Sequence, residues 1–149
     1  MRNFLIKAVT TFFGAGHLPL VPGTFGSIAG VAVYFLVKDN PALFIGAISL
    51  FLFLGFWLSG YTEKIYGRKD PQVVVIDEVA GMLLSLLFVP FSPWAVIIGF
   101  VLFRILDTLK PYPAGKLQQL HGSVGIMTDD IVAGIYANFI LQIVFRLLK

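Results

Sequence analysis

Residues 41–60 read PALFIGAISLFLFLGFWLSG, twenty residues without a charge. At about 1.5 Å per residue a helix of that length reaches roughly 30 Å, the thickness of a bilayer's hydrocarbon core. The rest of the chain agrees with a lipid solvent. Of its 149 residues 58% are hydrophobic and 13% charged, about half the charged share of a soluble domain, and the mean hydropathy is +0.89. The expectation is one membrane-embedded domain over residues 1–149. The apolar start FLIKAVTTFFGAG runs on without a clear small-residue cleavage site, so a signal peptide is not expected.

Working outward, residues 24–37 (TFGSIAGVAVYFLV) are also uncharged and stop at Lys38-Asp39-Asn40-Pro41. Residues 1–13 carry Arg2 and Lys7 and read as an interfacial helix. After the polar connector 61–72 come two further apolar stretches, 73–89 and 94–109, separated by Pro90-Phe91-Ser92-Pro93. A Pro/Gly-containing loop, 110–128, leads to a last helix over 129–148. The fold class is therefore all-α: an integral-membrane helical bundle of four to five embedded helices plus the N-terminal interfacial helix. Pro41 and Pro93 suit first-turn positions, where a missing N–H costs little. Thr128 before Asp129-Asp130 reads as an N-cap with an acidic first turn. Several stretches are shorter than about 17 residues, so tilts or partial insertion are expected.

Alternating spans put the N-terminus, loop 14–23, connector 61–72 and loop 110–128 on one side. That side holds Arg2, Lys7, Lys64, Arg68, Lys69, Lys110 and Lys116, with Arg104 near a helix end; the other holds Lys38, Arg146 and Lys149. The basic excess makes the first side cytoplasmic. Five of the eight acids gather there at one depth: Asp77 and Glu78 early in one helix, Asp107 late in the next, Asp129 and Asp130 opening the last. Carboxylates at membrane helices are costly unless paired or ligating, so they are functional candidates. Each also has a plainer reading: Asp129-Asp130 as a dipole-matched helix start, Asp107 as a partner of Arg104 or Lys110. A shared metal or phosphate site explains all five together.

The chemistry is bounded by what is missing. No cysteine is present, which excludes disulfides, thiolate catalysis and Cys-ligated zinc. The two histidines, His17 and His121, lie too far apart in sequence to suggest a zinc site. The net charge of +3 is not clustered enough for nucleic acid. Oxygen-only ligands favour hard cations, and Mg²⁺ suits a few carboxylates with water and a substrate phosphate. Arg104 could offer a fork to a phosphoryl group and Lys110 a point charge, unless each only balances Asp107. The loop GHLPLVPGTFGS places glycines and a hydroxyl at a helix start, where backbone N–H groups attract anions. His17 in that loop is either an ordinary polar loop residue or a phosphate contact or proton donor. Together these parts suit hydrolysis of a phosphate monoester on a lipid.

Four segments, LPLVPGTFGS, VVIDEVAGM, FRILDTLKPYP and GSVGIMTDDIVAG, occur in an order and spacing similar to the phosphatidylglycerophosphatase A family. The resemblance covers residues 14–136. It implies Mg²⁺-dependent dephosphorylation of phosphatidylglycerophosphate to phosphatidylglycerol at the bacterial cytoplasmic membrane, by a multi-pass helical protein with its site facing the cytoplasm. By position it implies Asp77, Glu78, Asp107, Asp129 and Asp130 as the catalytic acids. Asp77, Glu78, Asp129 and Asp130 would bind the metal, and Arg104, Lys110, Thr24 and His17 would lie on the phosphate side. Which carboxylate acts as base stays open, as does the oligomeric state.

Other classes fit less well. The DG…AR…G…D…D spacing of phosphotransferases acting on CDP-activated alcohols is absent, as is the SGH segment of histidine-based membrane phosphatases. A small ion transporter or assembly subunit could use the carboxylates to bind a cation or proton. That alternative predicts a polar path through the membrane, whereas the acids sit at one face and 41–60 is uncharged.

Overall fold

Most of the apolar runs become helices in the computed structural model, which describes residues 1–19 and 21–147. Asn40 caps the longest, α3 (Pro41–Tyr66), its Oδ1 accepting from the N–H groups of Ala42 and Leu43 at 3.0 and 3.2 Å. Ser92 does the same for α5 (Pro93–Leu109), accepting from Ala95 N–H at 3.0 Å. Pro22 opens α2 (Pro22–Val37), and α1 (Arg2–Thr10) precedes it. The set is completed by α4 (Ile76–Ser85), the short α6 (Ala114–Leu117) and α7 (Ser123–Leu147). Among the described residues there is no strand.

Three elements differ from the sequence expectation. The helix begun at Pro41 continues to Tyr66, absorbing half of connector 61–72, and stops at Gly67, whose φ of +64° suits a residue without Cβ. The run 73–89 does not form a spanning helix. Only the ten residues of α4 are helical, about 15 Å of rise. The last helix begins at Ser123, six residues before Asp129. Ile126 and Met127 are buried against α4 and α3, and that packing carries the helix back past Thr128. Thr128 is consequently no N-cap, and its hydroxyl donates to the Val124 carbonyl one turn earlier. Residue 148 and Lys149, assigned above to the last helix and the far side, lie outside the described residues, as does Leu20 in loop 14–23.

The short α4 is the axis of the molecule. It packs between α2 and α7, running parallel to both, and is buried on nearly every side. Small residues permit this. A Cβ on Gly134 would sit 2.5 Å from the Gly81 carbonyl oxygen, so α4 and α7 touch backbone to backbone. Because α4 stops early, the carbonyls at its end need donors that lipid cannot supply. A row of polar side chains on α7 provides them. Asn138 donates to the carbonyls of Ser85 (3.1 Å) and Leu87 (2.8 Å), Gln142 to Leu87 (2.9 Å) and Arg146 to Phe88 (3.2 Å).

Two helices, α3 and α7, are long and apolar enough to cross a membrane, and α2 is a shorter apolar helix. Their outward faces agree with lipid contact: Phe53 and Trp57 on α3, Ile105 on α5 and Phe139 on α7 are each about half exposed or more. Large contiguous apolar surface is rare on soluble monomers. Inside, Val79, Met82 and Leu83 of α4 and Leu86 just after it join Phe103 and Leu141 in a fully packed apolar layer. The acids lie on the Ile76 side of that layer.

Candidate active site

The ends of α2, α4 and α5 and the body of α7 meet above the apolar layer around a cavity of about 420 Å³. The first turn of α2 contributes Pro22 and Gly23, the first turn of α4 Asp77 and Glu78, and the last turns of α5 Arg104, Asp107 and Thr108. Lys110 follows α5 in a left-handed conformation, φ +47°, and α7 adds Asp129 and Asp130 nearly two turns in from its start. The dipole-matched helix start considered for the last two acids therefore does not apply. They project from the body of a helix.

All five expected acids line this cavity, together with Arg104 and Lys110. Asp77, Asp129 and Asp130 are at most 7% exposed. One oxygen each of Asp77, Glu78 and Asp130 lie within 4.8 Å of one another, as do oxygens of Asp107, Asp129 and Asp130. Two ionised carboxylates at that separation repel by about 3.5 kcal/mol at an effective dielectric constant near 20. Counter-charges are few. Arg104 donates from Nη1 to Asp107 Oδ2 at 2.6 Å; Lys110 lies 3.7 Å from Asp107 Oδ1 and bonds directly to Asp129 Oδ2. Burial alone would lower the Lys110 pKa, but Asp129 and Asp107 outweigh it and hold the ammonium above its ordinary value.

Both oxygens of Asp107 thus face cations. The other acids are different: Asp77 Oδ1, Glu78 Oε2, Asp129 Oδ1 and Asp130 Oδ2 are buried with no hydrogen-bond partner. Buried carboxylate oxygens are normally satisfied, and an exception calls for an explanation. Six acids, Asp70 included, face two bases in one cavity, an excess that would repel a phosphate ester. Cations bound among the four unpartnered oxygens would remove both difficulties, and the all-oxygen donor set suits a hard divalent ion. The residues present fit such a group.

The backbone comes close as well. A Cβ on Gly23 would lie 2.4 Å from Glu78 Oε1 and 3.0 Å from Arg104 Nη1, so only glycine lets the start of α2 approach these groups undisturbed.

Residues 8–145 match the family described as Phosphatidylglycerophosphatase A. The chain belongs to the phosphatidylglycerophosphatase A family. Two relatives carry that name: an Escherichia coli protein 40% identical over 89% of this chain and 78% of its own, and a Haemophilus influenzae protein 35% identical over 91% and 86%. A Bacteroides thetaiotaomicron protein, 41% identical over 97% of this chain and 95% of its own, is named "Putative phosphatidylinositol-3-phosphatase". No solved structure matches the chain significantly. Membership in the phosphatidylglycerophosphatase A family makes this protein a phosphatase.

Two expected phosphate-side residues stand apart from the cavity lining. His17 pairs with the Tyr66 hydroxyl at 3.2 Å, and Thr24 lies one residue beyond Gly23. Conversely, Asp70, Gln72 and Gln118 line the cavity without having been expected. They sit in connectors that carry no periodic signal. The odd polar-rich segments RKDPQ and KLQQL were their only trace in the sequence.

Proposed function

We propose that the protein is a multi-pass membrane phosphatase that hydrolyses the phosphate monoester of phosphatidylglycerophosphate in a Mg²⁺-dependent reaction. The observation that carries this reading is the set of four buried, unpartnered carboxylate oxygens beside Arg104 and Lys110. Bound Mg²⁺ would neutralise phosphoryl oxygens and make a water molecule easier to deprotonate. Asp77, Glu78, Asp129 and Asp130 are the residues that would hold it, with Asp130 common to both carboxylate groups.

Asp107 orients Arg104, and Asp129 with Asp107 fixes Lys110, so two cations are presented to the phosphoryl group in set positions. The Gly23 backbone at the positive end of α2 adds a donor surface for the same anion. The reaction adds the hydroxyl of water to phosphorus, breaks the phosphorus–oxygen bond to the headgroup alcohol, and returns a proton to that alcohol. A carboxylate of the cluster serves as the proton acceptor.

The basic residues that the alternating topology puts on the side of the acids, among them Lys64, Arg68, Lys69, Lys110 and Lys116, support a cytoplasmic orientation at the bacterial inner membrane. The transporter alternative is less well supported. Its ion would have to pass Met82, Leu83, Leu86, Phe103 and Leu141, all at most 1% exposed.

The test is phosphate release from phosphatidylglycerophosphate by the purified protein in detergent, with Mg²⁺ and then with EDTA. Release that stops with EDTA and returns with Mg²⁺ is the expected result. Undiminished release in EDTA would remove the metal from the reading, and no release from folded protein would remove the reaction.

A further inference from the structure

The cavity grades from dry to wet, and its chemistry changes along the way. At the floor stand Asp77, Asp129 and Asp130, almost fully buried; farther out are the half-buried Asp70 and Gln118 and the exposed Gln72. Gln118 Nε2 donates to Asp70 Oδ2 at 3.1 Å, joining the connector after α3 to the one after α6. Glu63, on the last turns of α3, anchors both: one carboxylate oxygen accepts the Asp70 N–H at 3.3 Å, the other the Gly122 N–H at 3.0 Å. Asp70 is held at φ +45°, a conformation unusual for a residue with a side chain. Two of these outer groups, Asp70 and Gln118, are therefore fixed in place by contacts that serve no step at phosphorus, and Gln72 lines the cavity beside them.

We infer that Asp70, Gln72 and Gln118 form a subsite for the hydroxyl groups of a polyol, the part of the lipid headgroup between the phosphate monoester and the phosphodiester. The inference rests on the phosphatase reading above and names what that site selects. Hydroxyls both donate and accept. A glutamine amide offers two donors and an acceptor, and Gln118 uses one donor on Asp70, leaving the rest of the amide available. Asp70 supplies an acceptor. This is a poor set for a second phosphate and a good one for a free hydroxyl, of which a glycerol bridge carries one and an inositol ring several. The shared chemistry is a phosphorylated polyol, and glycerol and inositol are the two forms that the relatives' names offer.

The test compares wild type, Gln118→Met and Gln72→Met in detergent micelles with Mg²⁺. Three lipids are used: phosphatidylglycerophosphate, phosphatidylinositol 3-phosphate, and phosphatidate, whose phosphate monoester has no intervening polyol. Phosphatidate is followed by its own turnover or by its inhibition of the other two. The expected result is a KM raised about tenfold on the polyol lipids with kcat held, the loss of one hydrogen bond, and phosphatidate unaffected. The lipid with the larger rise identifies the polyol. Gln72 is exposed, so its variant reports even if Gln118→Met does not fold. Unchanged KM values, or equal losses on phosphatidate, would overturn the subsite. A wild type inert on all three lipids would instead overturn the catalytic reading, and the subsite with it.

Discussion

Adding one methyl group to Gly23 should silence the enzyme without weakening it. An ideal Cβ there lies 2.4 Å from Glu78 Oε1 and 3.0 and 3.2 Å from the two terminal nitrogens of Arg104. Restoring ordinary van der Waals contact requires the Glu78 carboxylate to retreat by about 1 Å. A misplacement of that size at reacting groups costs on the order of 10²-fold in rate. The atoms in the way are ends of side chains, not backbone, so the fold can accommodate them. Alanine in a helix is favoured over glycine by roughly 0.5–1 kcal/mol, so the melting temperature should hold or rise slightly. The assay pairs phosphate release with thermal unfolding for Gly23→Ala and for Gly46→Ala, whose Cβ meets nothing within 4 Å. The expected outcome is kcat/KM down about 100-fold for the first and unchanged for the second. Wild-type activity in Gly23→Ala would refute the placement of Glu78 and Arg104 in the chemistry, and a matching fall in stability would refute the reasoning about cost.

Asp77→Asn and Asp130→Asn should each leave under about 1% of activity while the melting temperature in EDTA holds or rises, because each relieves repulsion among crowded carboxylates. A lower melting temperature in both variants would show that these acids support the fold. Mg²⁺ at about 100 times its dissociation constant should stabilise the wild type by about 2.7 kcal/mol. The double variant Asp77→Asn/Asp130→Asn should lose that shift, and a Mg²⁺ response that survives would place the ion elsewhere. Asn138→Leu strips donors from the Ser85 and Leu87 carbonyls and should cost about 1–3 kcal/mol in unfolding measurements. Its turnover per folded molecule should stay near wild type, and a selective loss of turnover would tie α7's lower half to the chemistry.

Long uninterrupted apolar runs made α2, α3 and α5 legible, and Pro41 and Pro93 marked where two of them begin; α2 starts at Pro22, two residues before the expected 24. The run at 73–89 misled because hydropathy reports burial and not geometry. Val73 to Val75 approach α1 in non-helical form, with Val75 N–H donating to the Thr10 carbonyl at 2.9 Å, and the far end is held by side chains of α7 that lie 51 to 58 residues along the chain. Thr128-Asp129-Asp130 imitates a helix start so well that only the burial of Ile126 and Met127 corrects it. The five acids were legible because a charge in an apolar run is conspicuous. Asp70, Gln72 and Gln118 were not, since polar residues in polar connectors stand out from nothing. His17 differs again: it sits in a suggestive segment, but its partner, Tyr66, is not among the residues lining the cavity.

The packed layer of Met82, Leu83, Leu86, Phe103 and Leu141 beneath the acids has a directional consequence. A chamber with one doorway cannot sort what enters from what leaves. In the proposed reaction water, headgroup and liberated phosphate would share the one cavity, so inorganic phosphate would be handed back to the compartment from which the headgroup dipped in. On the same reading the dephosphorylated lipid would withdraw into the leaflet it came from. Any transfer of that lipid to the opposite leaflet is left to other machinery.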